Sequence, residues 1–111
     1  MARHVLLVYS EPVPGQEDEY NEWYDGLHLD ELLQFDGIVS AERFDFLAHE
    51  DFPKPERSRL AIYDVETDNP HDFLRRLLGA TESMTVSPSI DIKSVRLYAF
   101  ESRQPHRNTS Q

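Results

Sequence analysis

Apolar residues recur along this chain in two rhythms, and the switches between them outline the fold. Residues 4–9 (His-Val-Leu-Leu-Val-Tyr) form an unbroken run rich in β-formers and predict a buried strand. Pro12, Pro14 and Gly15 then mark a loop. Over residues 16–27 the rhythm becomes helical. Tyr20, Trp23, Tyr24 and Leu27 stand at i, i+3, i+4 and i+7, and Glu17, Asp18 and Glu19 fill the first turn, where the helix dipole favours acids. Gly26 is expected to loosen the end of this helix, and Leu29, Leu32 and Leu33 predict a second short helical stretch over 29–34.

Asp36-Gly37 predicts a turn, and residues 38–48 a long strand. Simple alternation puts Ile38, Ser40, Glu42, Phe44 and Phe46 on one face and Val39, Ala41, Arg43, Asp45 and Leu47 on the other. The aromatics suggest that the first set packs on the helices. Pro53 and Pro55 mark a loop, and residues 59–66 alternate as a third strand. Asn69-Pro70 predicts a helix start, with Asn69 as cap and Pro70 in the first helical position. Phe73, Leu74, Leu77 and Leu78 form its apolar stripe, and Gly79 is its expected stop. Residues 80–90 read as loop, 91–100 as a fourth strand, and 102–111, without an apolar residue, as a disordered tail.

The order β-α-β-β-α-β predicts an α+β, ferredoxin-like domain over residues 1–101, a four-stranded antiparallel sheet with two helices on one face. The other face stays bare, with Val39, Ala41 and Leu47 on it. Covering it with a second copy would give a homodimer whose two sheets form a barrel, with a pocket inside each half.

Composition narrows the partners. A chain of 111 residues allows one domain. Its 11 basic and 21 acidic residues give a net charge of −10, which argues against nucleic acid and against an anionic membrane surface. Eight carboxylates and no lysine or arginine lie between residues 16 and 36, so much of that charge sits on one element, as a solvated outer face. The absence of cysteine excludes disulfides, thiolate nucleophiles and cysteine-ligated metals. No apolar run approaches the ~18 residues of a membrane span, and the opening Met-Ala-Arg-His is followed by too short an apolar run for a signal peptide. A cytoplasmic location is the resulting expectation.

The chemistry left is that of histidine, tyrosine and carboxylate. His28, just past the apolar face of the first helix, can give or take a proton near neutral pH. His4, with Leu6 and Val8 on its strand face, is a second candidate. Tyr24 and Tyr63 offer phenols, and a Tyr–His pair can polarise a carbonyl and relay a proton. Trp23 extends the aromatic face, Asp25 and Asp64 offer carboxylates, and Arg43 can anchor a substrate anion or pair with Asp45. Glu22, Asp25 and His28 recur every third residue. On a helix of about 3.6 residues per turn that step drifts by about 60°, so the three do not converge, and no metal or other cofactor is expected. Phosphate-binding glycine loops and the nucleophile elbow are absent from the sequence.

The stretch Glu19-Tyr-Asn-Glu-Trp-Tyr-Asp-Gly-Leu-His28 resembles the first helix of the dimeric α+β barrel proteins, particularly the EthD-like group, in its Trp23-Tyr24-x-x-x-His28 pattern. Asp36-Gly37-Ile38, Arg43-Phe44 and Leu60–Glu66 extend the likeness, which covers residues 3–101. The resemblance implies a pocket-facing His28, and a pocket histidine on the first strand, at His4, as in some cyclases of the superfamily. It also implies small aromatic, polyketide or lactone-like ligands handled without an organic cofactor. Three readings follow: a cofactor-independent cyclase, isomerase or lyase acting through His28; a protein that holds a hydrophobic ligand without chemistry; and a cofactor-free monooxygenase.

Overall fold

The computed structural model describes residues 2–109. Four strands, β1 (Arg3–Ser10), β2 (Ile38–Asp45), β3 (Arg59–Glu66) and β4 (Arg96–Glu101), form one sheet in the order β2-β3-β1-β4, every neighbouring pair antiparallel. The intervening helices lie on one face, so the architecture is the α+β, ferredoxin-like arrangement that the element order predicts. Among the described residues no helix is long and apolar enough to cross a membrane. Residues 102–109 carry no helix or strand, and the last two residues of the expected tail lie outside the described ones.

The first helical region departs from expectation in an informative way. Gly26 does not end it. α1 (Glu17–Trp23) runs into a π-helical turn (Tyr24–His28) and then into α2 (Leu29–Leu33), with right-handed helical dihedrals at both junctions. The wide turn is closed by the Leu29 N–H, which donates to the Tyr24 carbonyl five residues back. Tyr20, Tyr24 and Leu32 point down to the sheet and are buried. The second predicted helix is α3 (Pro70–Thr81). The Asn69 side chain caps it by accepting from the Asp72 N–H at 3.1 Å, and Pro70 opens it. Gly79 is solvent-exposed and helical, and the helix closes a little later, where the Thr81 hydroxyl donates to the Leu78 carbonyl at 2.8 Å.

Strand β2 also corrects the simple alternation. A register shift between Ile38 and Ser40 leaves Val39 as the extra residue of a β-bulge. Ile38 sits opposite Val65, Ala41 opposite Tyr63 and Arg43 opposite Ala61, and these β3 partners are the buried ones. Cross-strand partners share a face, so Ala41 and Arg43 look toward the helices, while Ser40, Glu42 and Phe44 look out from the bare face. One inserted residue therefore moves the arginine inward and an aromatic outward. Ahead of the bulge, Gly37 adopts φ +104°, and a Cβ there would lie 2.9 Å from the buried Phe73 ring. The β4 region likewise begins later than expected. Asp91 caps a single 3-10 turn (Ile92–Ser94), and pairing starts at Arg96.

Leu6, Tyr20, Tyr24, Leu32, Ile38, Ala61, Tyr63, Val65, Phe73 and Leu77 make the core, all between sheet and helices. The opposite face carries Val5, Leu7, Tyr9, Leu60 and Ile62, together with the more exposed Phe44, Tyr98 and Phe100.

Candidate functional site

A cavity of about 330 Å³ lies between the sheet and the helices of a single chain. The sequence reading placed the pocket within a two-sheet barrel, but the helix-covered side already holds one. Leu6 and Val8 of β1 and Leu77 of α3 supply apolar walls. Val86, Ile90 and Ile92, from the segment after α3, line the cavity as well. Trp23, Tyr24, His28 and Tyr63 supply all of its aromatic and ionisable groups.

The π turn arranges these residues. On a regular helix, residues five apart stand about 140° apart around the axis and cannot stack. The wider turn closes that gap. The Trp23 and His28 rings stack with centroids 4.5 Å apart and planes at 22°. His28 also meets the edge of Tyr24 at 5.1 Å, and Tyr24 meets Tyr20 and Trp23 in T-shaped contacts. The Trp23 Nε1–H donates to the Thr85 carbonyl at 3.1 Å, tying the aromatic cluster to the segment over the cavity.

Electrostatics give each group a protonation state. Burial pushes His28 below the ordinary histidine range, and the nearby Glu31 carboxylate opposes that shift. Burial pushes the Tyr24 phenol up to about 12, and pushes Tyr63 up further, with Tyr24 beside it adding to the effect. The Tyr63 side chain is fully buried, with the Tyr24 phenol as the polar neighbour of its hydroxyl. Near pH 7 the cavity thus presents a neutral imidazole and two protonated phenols.

The other candidates lie elsewhere. Arg43 donates to Asp25 at 3.0 Å and to the Asn21 side-chain oxygen at 2.9 Å, with its guanidinium 4.5 Å from the Tyr24 ring centroid and 5.2 Å from that of Tyr20. Its donors are engaged behind the cavity wall, where it ties helix to sheet, and Asp45 pairs with Arg59 at 3.5 Å instead. Asp25 is exposed apart from that arginine. His4 is buried on the helix-covered face beside a separate void of about 20 Å³ with Phe73 and Val65, its Nε2 3.7 Å from Glu101. Asp64 accepts from Ser40 at 2.8 Å and Arg3 at 3.1 Å on the bare face, and these bonds hold its carboxyl below the usual range. Glu22 and Asp25 are exposed while His28 turns inward, so the three do not gather. Glu31, which faces His28, escaped the sequence reading because it looked like one more acid of a solvated face.

No family model matches the sequence, and no curated protein matches it either. Solved structures do match the fold. An EthD family protein from Bacillus halodurans C-125 (the name stands for ethyl tert-butyl ether d) superposes with a TM-score of 0.60 at 12% identity, over 92% of this chain and 99% of that one. A protein from Shewanella loihica PV-4, provisionally assigned as a monooxygenase, gives 0.55 at 12% identity over 95% and 99%.

The His28 shift has a consequence for stability. Its folded pKa lies below its unfolded value, so the unfolded chain binds more protons between the two. Stability should rise with pH across that window and level off above about 6.5. Urea unfolding followed from about pH 5 to 7.5 checks this, and His28→Gln should flatten the slope. At the level of the fold, the chain shares the α+β, ferredoxin-like architecture of these two solved structures.

Proposed function

We propose that this chain is a cofactor-independent small-molecule enzyme of the cyclase, isomerase or lyase type, acting on an aromatic, polyketide or lactone-like molecule by proton transfer through His28. The observation that carries this reading is a neutral imidazole and two protonated phenols on the walls of one largely apolar cavity. Tyr63 keeps its proton and donates a hydrogen bond to a carbonyl oxygen of the ligand. His28 removes a proton from the carbon beside that carbonyl, leaving an enolate whose charge the phenol stabilises. Trp23 holds the imidazole plane by stacking, and Tyr24 borders both groups. Arg43 and Asp25 support the wall from behind, and His4, in its separate void, takes no part in this scheme.

The same reading includes a homodimer, built by pairing the bare sheet faces. Leu7, Ile62, Tyr98 and Phe100 form an apolar surface that water would otherwise meet. Because the cavity lies on the other side of the sheet, each copy carries a complete set of lining residues.

Two experiments test this reading. Deuterium exchange at the α-carbon of 2-tetralone, an aromatic ketone small enough for the cavity, is followed by NMR in D₂O. The protein should accelerate exchange, His28→Gln should lower the acceleration by about 10²-fold or more, and Tyr63→Phe should reduce it while leaving the fold intact. Binding without exchange would instead favour a ligand-holding protein, and oxygen uptake with quinol-type substrates a cofactor-free monooxygenase. Light scattering should give twice the 13.0 kDa chain mass, and Leu7→Glu combined with Phe100→Glu should give single chains. A wild-type mass of one chain at micromolar concentration would overturn the dimer.

A further inference from the structure

The His28 Nδ1 atom lies 3.9 Å from the Glu31 Oε1 atom, one helical turn along. Both atoms are buried, and neither makes a hydrogen bond among the described residues. Two buried polar atoms that face each other without bonding are unusual, because each forfeits its water for nothing. The separation is too long for a hydrogen bond, yet short enough that a small rotation of the glutamate would close it. The pairing follows from the helix itself: His28 ends the π turn, and Glu31, three residues on in the first turn of α2, is its neighbour on the same face.

We infer that Glu31 is a positioning residue for His28, holding the imidazole as the Nδ1–H tautomer and closing on it when Nε2 takes up a proton. Resting on the reading of His28 as the base, this assigns the two ring nitrogens separate tasks. Nδ1 points at the carboxylate, so Nε2 is the nitrogen left for a ligand in the cavity. When Nε2 accepts a proton from the ligand, the ligand keeps the electron pair and becomes an enolate. The ring becomes an imidazolium, and its Nδ1–H donates to the Glu31 carboxylate. The positive charge then forms against a negative one inside a poorly solvated site, which lowers the cost of the transfer. Without that carboxylate, burial alone would oppose the charge.

The titratable groups that face His28 are few. Glu31 comes from its own helix, Tyr24 touches its ring edge, and Tyr63 lies on the cavity wall from β3. The phenols stay neutral, burial having pushed both upward. Glu31 is therefore the only charged partner the site offers among the described residues. Asp30 beside it in sequence is exposed and serves as a control for general charge effects.

The test is a ¹⁵N NMR titration of the imidazole in the ligand-free protein. In the wild type, neutral His28 should show Nδ1 protonated and Nε2 bare. Glu31→Gln, which keeps shape and removes charge, should move the titration midpoint downward, and Glu31→Ala should also mix the two tautomers. Asp30→Asn should leave both readouts nearly unchanged. A predominant Nε2–H tautomer in the wild type would overturn the inference, and so would a midpoint that Glu31→Gln leaves in place or that Asp30→Asn shifts equally. Wild-type tautomer data stand even if a variant folds poorly. Because no ligand is involved, the titration separates this inference from the exchange assay: a coupled pair with no ketone exchange would leave Glu31's role intact and remove the proposed reaction.

Discussion

One widened helical turn sets the geometry on which the site depends. The bond from the Leu29 N–H to the Tyr24 carbonyl spans five residues rather than four, so one extra residue is accommodated between Tyr24 and His28. Without it, Trp23 and His28 would point in different directions, and the imidazole and its neighbour Glu31 would turn together away from the indole. A π turn forgoes some regular hydrogen bonding and persists where packing holds it. Here Arg43 supplies part of that hold, by bonding Asp25 and Asn21 while lying over the Tyr24 ring.

Arg43 reaches that position through a second irregularity. The bulge at Val39 shifts β2 by one residue, and a shift of one exchanges the two faces of a strand. The arginine therefore enters the sheet–helix layer, where its charge is met by one carboxylate, one amide and two aromatic faces. Bulge and π turn are coupled in this sense: the first delivers the side chain that braces the second. The π turn carries lining residues of the cavity, and the bulge acts on it through Arg43.

Much of the scaffold was legible in the sequence, because it rests on local patterns. The Asn69-Pro70 start of α3 follows from capping chemistry, and β3 follows from alternation. Residues Tyr20 to Leu27 announced a helix by spacing. The aromatic residues of the site and His28 were legible as well, since a Trp-Tyr-x-x-x-His sequence on a helix stands out. Their mutual arrangement was not. A π turn has no propensity signature of its own, and Gly26 in its middle reads like a helix end. The bulge was equally hidden, because Val39 is an ordinary strand residue and only the pairing with β3 shows it to be extra. Glu31 vanished into the run of acids around it, since burial, not residue type, separates it from Asp30.

The central claim is that the π turn stacks His28 on Trp23 in a poorly solvated cavity that keeps the imidazole neutral. Trp23 is the single tryptophan of the chain, so tryptophan emission reports on the surroundings of this one indole. An imidazolium stacked on an indole quenches its emission far more than a neutral imidazole does. Emission should therefore fall as pH is lowered through a midpoint below the ordinary histidine value of about 6.5, and His28→Gln should remove the step. Emission that stays flat with pH in the folded wild type, or a step that survives in His28→Gln, would contradict the account.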